Sequence, residues 1–195
     1  MANLLITGAS GGIGQHLCCH LSTRHEVVSI SRRPPDDSLF EPCDLVAGPP
    51  QLRNRSDSTS AGNVDWIIHL ATTYDIDDDI AMLDHLVQFA EQHEIENFLY
   101  VSSWVVHFPR RPLAASYIEM KRRCEQRLLR SGIPNVRIVR PSVVIGPGLS
   151  WTKILKRLAP FAAVIPAKFS RSFVTIDEVN SGIENVINGP SEPVV

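Results

Sequence analysis

Short apolar stretches alternate with longer amphipathic stretches along the chain. The apolar runs predict buried strands, and a 3.6-residue hydrophobic period predicts helices. Strands are predicted at Asn3–Thr7, Glu26–Ser31, Phe40–Leu45, Asp65–Ala71, Asn97–Ser102, Val136–Arg140 and Phe173–Ile176. Helices are predicted at Gly12–Ser22, Ile80–Gln92, Ala114–Ser131, Lys153–Ala163 and Asp177–Ile187, the last with Asp177 as its N-cap. This alternation indicates an α/β protein with a doubly wound parallel sheet and helices on both faces.

A glycine-rich segment, Thr7-Gly8-Ala9-Ser10-Gly11-Gly12-Ile13-Gly14, directly follows the first predicted strand. Gly8 permits a tight turn, Gly11 or Gly12 permits close backbone approach to a pyrophosphate, and Gly14 permits close helix packing. The following helix would direct its free N–H groups at the phosphates. The sequence therefore predicts a Rossmann-type dinucleotide site formed by Gly8, Ser10, Gly11, Gly12, Ile13 and Gly14.

The end of the second predicted strand bears on which dinucleotide is bound. It reads Ser31-Arg32-Arg33, without an acid at the tip. Two guanidinium groups suit a ribose 2′-phosphate, whereas an acid would suit a 2′-hydroxyl, so we expect NADP rather than NAD. NAD stays possible, because Asp36 or Asp37 could fold back onto a ribose. Asp44 and Leu45 stand at the end of the third predicted strand and are expected near the adenine.

Tyr117 and Lys121 stand four residues apart in the third predicted helix. This spacing places both side chains on one helix face, where the ammonium is expected to lower the pKa of the phenol. Tyr117 would then be a general acid or base for a carbonyl or alcohol oxygen. An ordinary amphipathic surface is the alternative, and the glycine segment upstream favours the catalytic interpretation.

Composition and charge narrow the classes of partner. The 195 residues suit one domain, and 19 basic against 21 acidic residues give a net charge of −2. This balance gives no reason to expect nucleic acid or an anionic membrane as partner. The four cysteines lack metal-ligand spacing, so no metal is expected. No apolar run is long enough to span a membrane and no signal peptide is evident, so we expect a cytoplasmic protein.

Four further segments, in order along the chain, carry a family resemblance. They are His69-Leu70-Ala71, the strand ending in Ser102-Ser103, Arg140-Pro141-Ser142-Val143-Val144-Ile145-Gly146-Pro147-Gly148, and Phe173-Val174-Thr175-Ile176-Asp177-Glu178-Val179. With the glycine segment and the Tyr-Lys pair, they resemble the extended, epimerase/dehydratase-like branch of the short-chain dehydrogenase/reductase superfamily.

The resemblance implies roles for individual residues. Tyr117 would be the acid/base, Lys121 would hold the nicotinamide ribose, and Ser103 would bind the reacting oxygen, with Ser102 as the alternative in register. Further cofactor contacts are implied for Leu70, Ala71, Thr72, Pro141, Val143 and Val144. Pairing through the helix that carries Tyr117 is common in this superfamily, which makes a homodimer possible.

The chain also departs from the extended branch. Trp104 replaces a small residue beside Ser103, and His107-Phe108 stands where a Tyr-Gly pair is usual. Extended members usually continue further, so we expect one domain over 1–195 with a small or truncated C-terminal lobe, in which residues 148–172 form a substrate lid.

The combined prediction is an NADP-dependent oxidoreductase that interconverts a carbonyl and an alcohol on a small or medium metabolite. One alternative is a nucleotide-sugar epimerase or dehydratase with tightly bound NAD. The other is a non-enzymatic dinucleotide-binding regulator.

Overall fold

The computed structural model describes residues 1–32, 40–52, 64–108, 115–158 and 173–189. Six strands form its main sheet: β1 (Asn3–Thr7), β2 (Glu26–Ser31), β3 (Phe40–Pro42), β4 (Trp66–His69), β5 (Asn97–Val101) and β6 (Asn135–Val139). Two short strands, β7 (Val143–Ile145) and β8 (Phe173–Thr175), pair separately. The helices are α1 (Gly12–Leu21), α2 (Ile76–Gln92), α3 (Ala115–Leu129), α4 (Ser150–Leu158) and α5 (Ile176–Asn188), with a 3₁₀ turn at Trp104–His107.

The main sheet is parallel throughout, in the order β3-β2-β1-β4-β5-β6. Side chains alternate across it, so Leu4 and Ile6 pack in the core beneath α1 and α5, whereas Leu5 packs in the core beneath α2 and α3. Both faces are therefore covered by helices, as a parallel sheet requires. The predicted Rossmann-type doubly wound fold is confirmed.

Helix caps account for the differences between predicted and observed starts of α2 and α5. Helix α2 begins at Ile76 rather than Ile80, because the Asp75 side chain accepts from the backbone N–H groups of Asp77 and Asp78. Asp177 was the wrong N-cap for α5. Thr175 caps that helix in a reciprocal capping box with Glu178.

The topology reverses between β1 and β4, which are neighbours in the sheet although α1, β2 and β3 separate them in sequence. Crevices at the carboxyl ends of the strands next to such a reversal bind ligands in open α/β sheets. The segments after β1, β4, β5 and β6 all lie at this edge because the strands are parallel. Among the described residues, no helix has the length and apolar character to cross a membrane.

Candidate functional site

The turn after β1 leaves no room for a side chain at Gly8. Gly8 has a φ of +69°, and its carbonyl accepts from Gly11 N–H at 2.9 Å. A Cβ at Gly8 would lie 2.6 Å from the backbone nitrogen of Ala71, so the turn fits closely against the segment after β4. Positive φ and this close approach both require glycine.

The start of α1 is equally constrained. A Cβ at Gly14 would overlap the Gly8 carbonyl oxygen, and one at Gly12 would lie 2.7 Å from Leu149 Cδ2. Gly11 and Gly12 are exposed where the helix begins. The result is a backbone cradle at a helix N-terminus, and its shape and dipole suit a pyrophosphate. The residues present therefore fit a dinucleotide.

A buried hydrogen-bond network locks β1 to β4 beneath this cradle. Thr7 Oγ1 lies 2.6 Å from His69 Nδ1 and accepts from the N–H groups of Leu70 and Ala71, at 3.3 Å each. Burial first, and the nearby Lys121 charge second, lower the pKa of His69 to about 3. His69 is therefore a neutral structural histidine.

One cleft, of about 660 Å³, opens beside the ends of β1 and β2. Ser10 and Ser31 hydrogen-bond across it at 2.5 Å. Arg32 lines it with an exposed side chain, as does Asp44, whose carboxylate also accepts from Val46 N–H. Predicted cofactor residues in its lining are Gly8, Ser10, Gly11, Ser31, Arg32, Asp44, Leu45, Leu70, Ala71 and Thr72. Arg33 lies outside the described residues.

A second cleft, of about 970 Å³, continues from the same cradle toward α3. Its lining contains the three predicted catalytic residues, Ser103, Tyr117 and Lys121. It also contains the predicted cofactor residues Gly8, Gly11, Gly12, Ile13, Gly14, Leu70, Thr72, Pro141, Val143 and Val144. The predicted catalytic residues and many of the predicted cofactor-binding residues thus line one cavity. Of the expected lid, 159–172 lie outside the described residues.

The two serines after β5 point in different directions. Ser103 lies beside Tyr117, where its hydroxyl acts to lower the pKa of the phenol. Ser102 is buried on the side near Glu125, and its hydroxyl has no hydrogen-bond partner among the described residues. Because neighbouring residues of extended backbone face opposite ways, only one of the pair can meet Tyr117, and that residue is Ser103.

The expected effect of Lys121 on Tyr117 was wrong. Burial outweighs the effect of the neighbouring Ser103 hydroxyl and raises the pKa of Tyr117. Lys121 Nζ lies 5.9 Å from the centroid of the Tyr117 ring and instead donates to Tyr100 Oη at 3.1 Å and to the Val101 carbonyl at 3.3 Å. Burial also lowers the pKa of Lys121. The ammonium is held by β5 rather than by its neighbour on the helix.

Sequence reasoning missed three supporting side chains. Tyr100 holds Lys121, and its buried hydroxyl on an apolar strand was the available signal, since a buried phenol needs a partner. Asp79 is 2% exposed and binds the threonines after β4. Glu125 forms a two-pronged ion pair with Arg140, at 2.9 and 2.8 Å. These three side chains stabilise segments that border the cleft.

A glycine cradle at the reversal point of a parallel sheet, continuous with a polar cleft, defines a dinucleotide-binding Rossmann protein. Residues 8–152 match the family model described as NAD(P)H-binding, which spans more than half of the chain. The chain therefore belongs to this NAD(P)H-binding family, and its expected cofactor is a nicotinamide dinucleotide. No curated protein sequence matches.

Solved structures of related architecture support the fold. The Bacillus cereus UDP-N-acetylglucosamine 4-epimerase aligns with a TM-score of 0.70 and 17% identity, over 96% of this chain and 74% of that one. The Bordetella bronchiseptica enzyme WbmH, in complex with NAD+, aligns at 0.69 and 19%, over 97% and 73%. The Lactococcus lactis oxidoreductase ylbE aligns at 0.66 and 17%, over 95% and 84%. At these identities the likeness shows the fold alone.

Proposed function

We propose that this protein is an NADP-dependent oxidoreductase that interconverts a carbonyl and an alcohol on a small or medium metabolite. The observation that carries the proposal is that Ser103 and Tyr117 stand side by side in the lining of the same cleft as the glycine cradle. A hydroxyl and a phenol that converge on one cavity can bind and protonate a single oxygen atom.

In the reductive direction, a nicotinamide dinucleotide held by the glycine cradle would supply the hydride that the carbonyl carbon accepts. Tyr117 donates its phenolic proton to the carbonyl oxygen, which becomes the alcohol oxygen. Ser103 donates a hydrogen bond to the same oxygen and stabilises the negative charge that develops there. Because burial raises the pKa of Tyr117, the phenol keeps its proton at neutral pH and is ready to act as an acid.

Lys121 supports this chemistry by its charge. Its Nζ is held by Tyr100 and Val101 on one side and lies near the Tyr117 ring on the other. The positive charge favours the phenolate that remains once Tyr117 has given up its proton. We also assign Lys121 to the nicotinamide ribose.

The preference for NADP rests on the end of β2. Arg32 is exposed in the first cleft, and Arg33 follows it in sequence. No acid occupies the strand tip, where one would select a ribose 2′-hydroxyl. A titration of the whole chain with NADPH and NADH tests this preference, repeated on the Arg32→Ala/Arg33→Ala double variant. Loss of NADPH binding with NADH binding unchanged supports the assignment, and equal loss of both refutes it.

Turnover tests the chemistry. A panel of aldehydes and ketones is offered with NADPH to the native chain, Tyr117→Phe and Leu129→Ala. Leu129 is the control, because it is 63% exposed at the end of α3 and away from the cleft. Activity that is lost in Tyr117→Phe but kept in Leu129→Ala supports the proposal. Dinucleotide binding without turnover of any carbonyl would instead favour a regulator.

A further inference from the structure

Two large aromatic side chains stand exposed in the wall of the cleft that holds Ser103 and Tyr117. Tyr74 is 74% exposed and Trp104 is 38% exposed, and both line this cleft. Phe108, Leu149 and other apolar side chains complete this part of the lining. Apolar surface that is exposed to water in a concave site becomes buried when a ligand binds there, and this burial favours binding of an apolar group.

Tyr74 is held in place by the turn before α2. Its φ of +66° is in the left-handed region, which is costly for a residue with a side chain. Asp79 maintains this turn: its carboxylate accepts from the hydroxyls of Thr72 and Thr73, at 2.7 and 3.0 Å, and from Thr73 N–H at 2.7 Å. The Tyr74 ring is thereby placed with its centroid 5.8 Å from that of Tyr117, tilted by 37°.

Trp104 is held at the other side of Ser103. Its backbone N–H donates to the Pro141 carbonyl at 2.9 Å, which ties the segment after β5 to the segment after β6. Its indole meets the Phe108 ring edge to face, with centroids 4.6 Å apart. A tryptophan constrained at both backbone and ring presents a rigid apolar surface, so a ligand that packs on it loses little freedom of the protein.

Beyond the glycine cradle, the described residues that line the cleft offer no free cation to a phosphate of the substrate. Among the described residues that line it, Lys121 is the one charged side chain, and it is bound to Tyr100 and Val101. Two nearby guanidinium groups are also engaged: Arg122 donates to the Val106 carbonyl, and Arg140 pairs with Glu125. A substrate phosphate bound away from the glycine cradle would lack a cation to pair with it here.

We infer that the substrate is an aldehyde or ketone that carries an apolar, planar ring, and that Tyr74 and Trp104 bind this ring. The inference rests on the proposed function, because it places the carbonyl oxygen at Ser103 and Tyr117. The ring then extends from the reacting carbon onto the exposed aromatic surface beside them. Offset or edge-to-face ring contacts give this arrangement its preference for planar groups.

Acetophenone and acetone form a matched pair of probes, because both are methyl ketones and one carries a phenyl ring. UDP-glucose is the phosphate-bearing alternative. Each is offered to the native chain, Trp104→Ala, Trp104→Phe, Tyr74→Ala and the exposed control Leu129→Ala. Two quantities are measured. The first is kcat/KM, with NADPH for the two ketones and with NADP+ for UDP-glucose, because UDP-glucose carries alcohols that can only be oxidised. The second is the Kd of acetophenone by calorimetry on chain saturated with NADP+.

We expect native kcat/KM to be at least roughly tenfold higher for acetophenone than for acetone. Trp104→Ala and Tyr74→Ala should reduce this ratio and weaken acetophenone binding, while Trp104→Phe retains most of both and Leu129→Ala changes neither. Acetone or UDP-glucose used as well as acetophenone, or a Kd unaffected by either alanine variant, would overturn the inference.

The two readouts separate the inference from the proposed function. If acetophenone binds in a way that depends on Trp104 but no carbonyl is reduced, the oxidoreductase proposal is refuted and the aromatic site is supported. If acetone is reduced in a way that depends on Tyr117 but acetophenone does not measurably bind, the oxidoreductase proposal is supported and the aromatic site is refuted.

Discussion

The ion pair between Glu125 and Arg140 gives the sharpest test of how the cleft is supported. It joins α3 to the residue that follows β6, through two hydrogen bonds between Arg140 and Glu125. Replacing Glu125 by glutamine keeps the size of the side chain but removes its charge. The Arg140 guanidinium then faces an amide that can accept only one of its two hydrogen bonds.

The exposure of the two side chains sets the size of the effect. Removing one partner of a fully buried pair costs about 3–5 kcal/mol, whereas a fully exposed pair contributes about 0–1 kcal/mol. The Glu125 side chain is 9% exposed and that of Arg140 is 36% exposed, so water can partly solvate the arginine. We therefore expect Glu125→Gln to lower the free energy of unfolding by about 2 kcal/mol, between these limits.

The pH dependence of this effect follows from the direction of the pKa shift. Burial acts to raise the pKa of Glu125, but the hydrogen bonds and the charge of Arg140 outweigh burial and lower it overall. A carboxylate with a lowered pKa in the folded state stabilises the fold above its ordinary pKa, and this stabilisation is lost as the pH falls through the folded value. The difference between native chain and variant should be constant near neutral pH and shrink below about pH 4.3.

Urea unfolding at a series of pH values measures this difference, with Glu119→Gln as the matched control. Glu119 pairs with Arg123 on the same helix, but both side chains are about half exposed, so its replacement should cost under about 0.5 kcal/mol. The reasoning fails if the two variants destabilise the fold equally, or if the cost of Glu125→Gln stays unchanged at acidic pH.

Three further predictions concern the cleft itself. Gly8 and Gly132 both have positive φ, but of the two only Gly8 lies against a neighbouring backbone. Gly8→Ala should therefore lower the free energy of unfolding in urea more than Gly132→Ala does. It should also weaken NADPH binding. Asp79→Ala should release the Tyr74 turn and lower kcat/KM for acetophenone more than for acetone. Alcohol oxidation should rise with pH between about pH 6 and 9 while carbonyl reduction stays nearly constant, because the raised pKa of Tyr117 keeps the phenol protonated; parallel profiles would contradict this.

The fold and its cradle could be predicted from the sequence because both follow from local rules. Apolar runs located β1, β2, β4 and β5 within a few residues, and the order of strands and helices gave the doubly wound sheet. The glycines of the cradle stand at fixed spacing after β1, where backbone geometry requires them. Element ends were harder to place, because caps such as Thr175 depend on which side chain reaches a backbone N–H group.

The supporting side chains could not be predicted, because they depend on contacts between distant segments. Asp79 looks in sequence like one more acid at a helix start, where the helix dipole is sufficient explanation. The fold buries it against Thr72 and Thr73 and so converts a surface residue into a structural one. The prediction that the pKa of Tyr117 is lowered was wrong for the same reason. The spacing of residues on α3 indicates that Lys121 is near, but it does not show that Tyr117 is buried.

The position of Lys121 links the fold to the proposed chemistry. The residue is 3% exposed, and placing an ammonium there costs stability unless its donors are used. An ammonium has three N–H donors, and two of them meet Tyr100 and Val101. Within the part of the chain that the structure describes, this leaves one donor for a ligand hydroxyl beside Tyr117. A lysine of the core would have all of its donors bound by the protein. A lysine with one donor left for a ligand in the cleft is instead expected to be a binding residue.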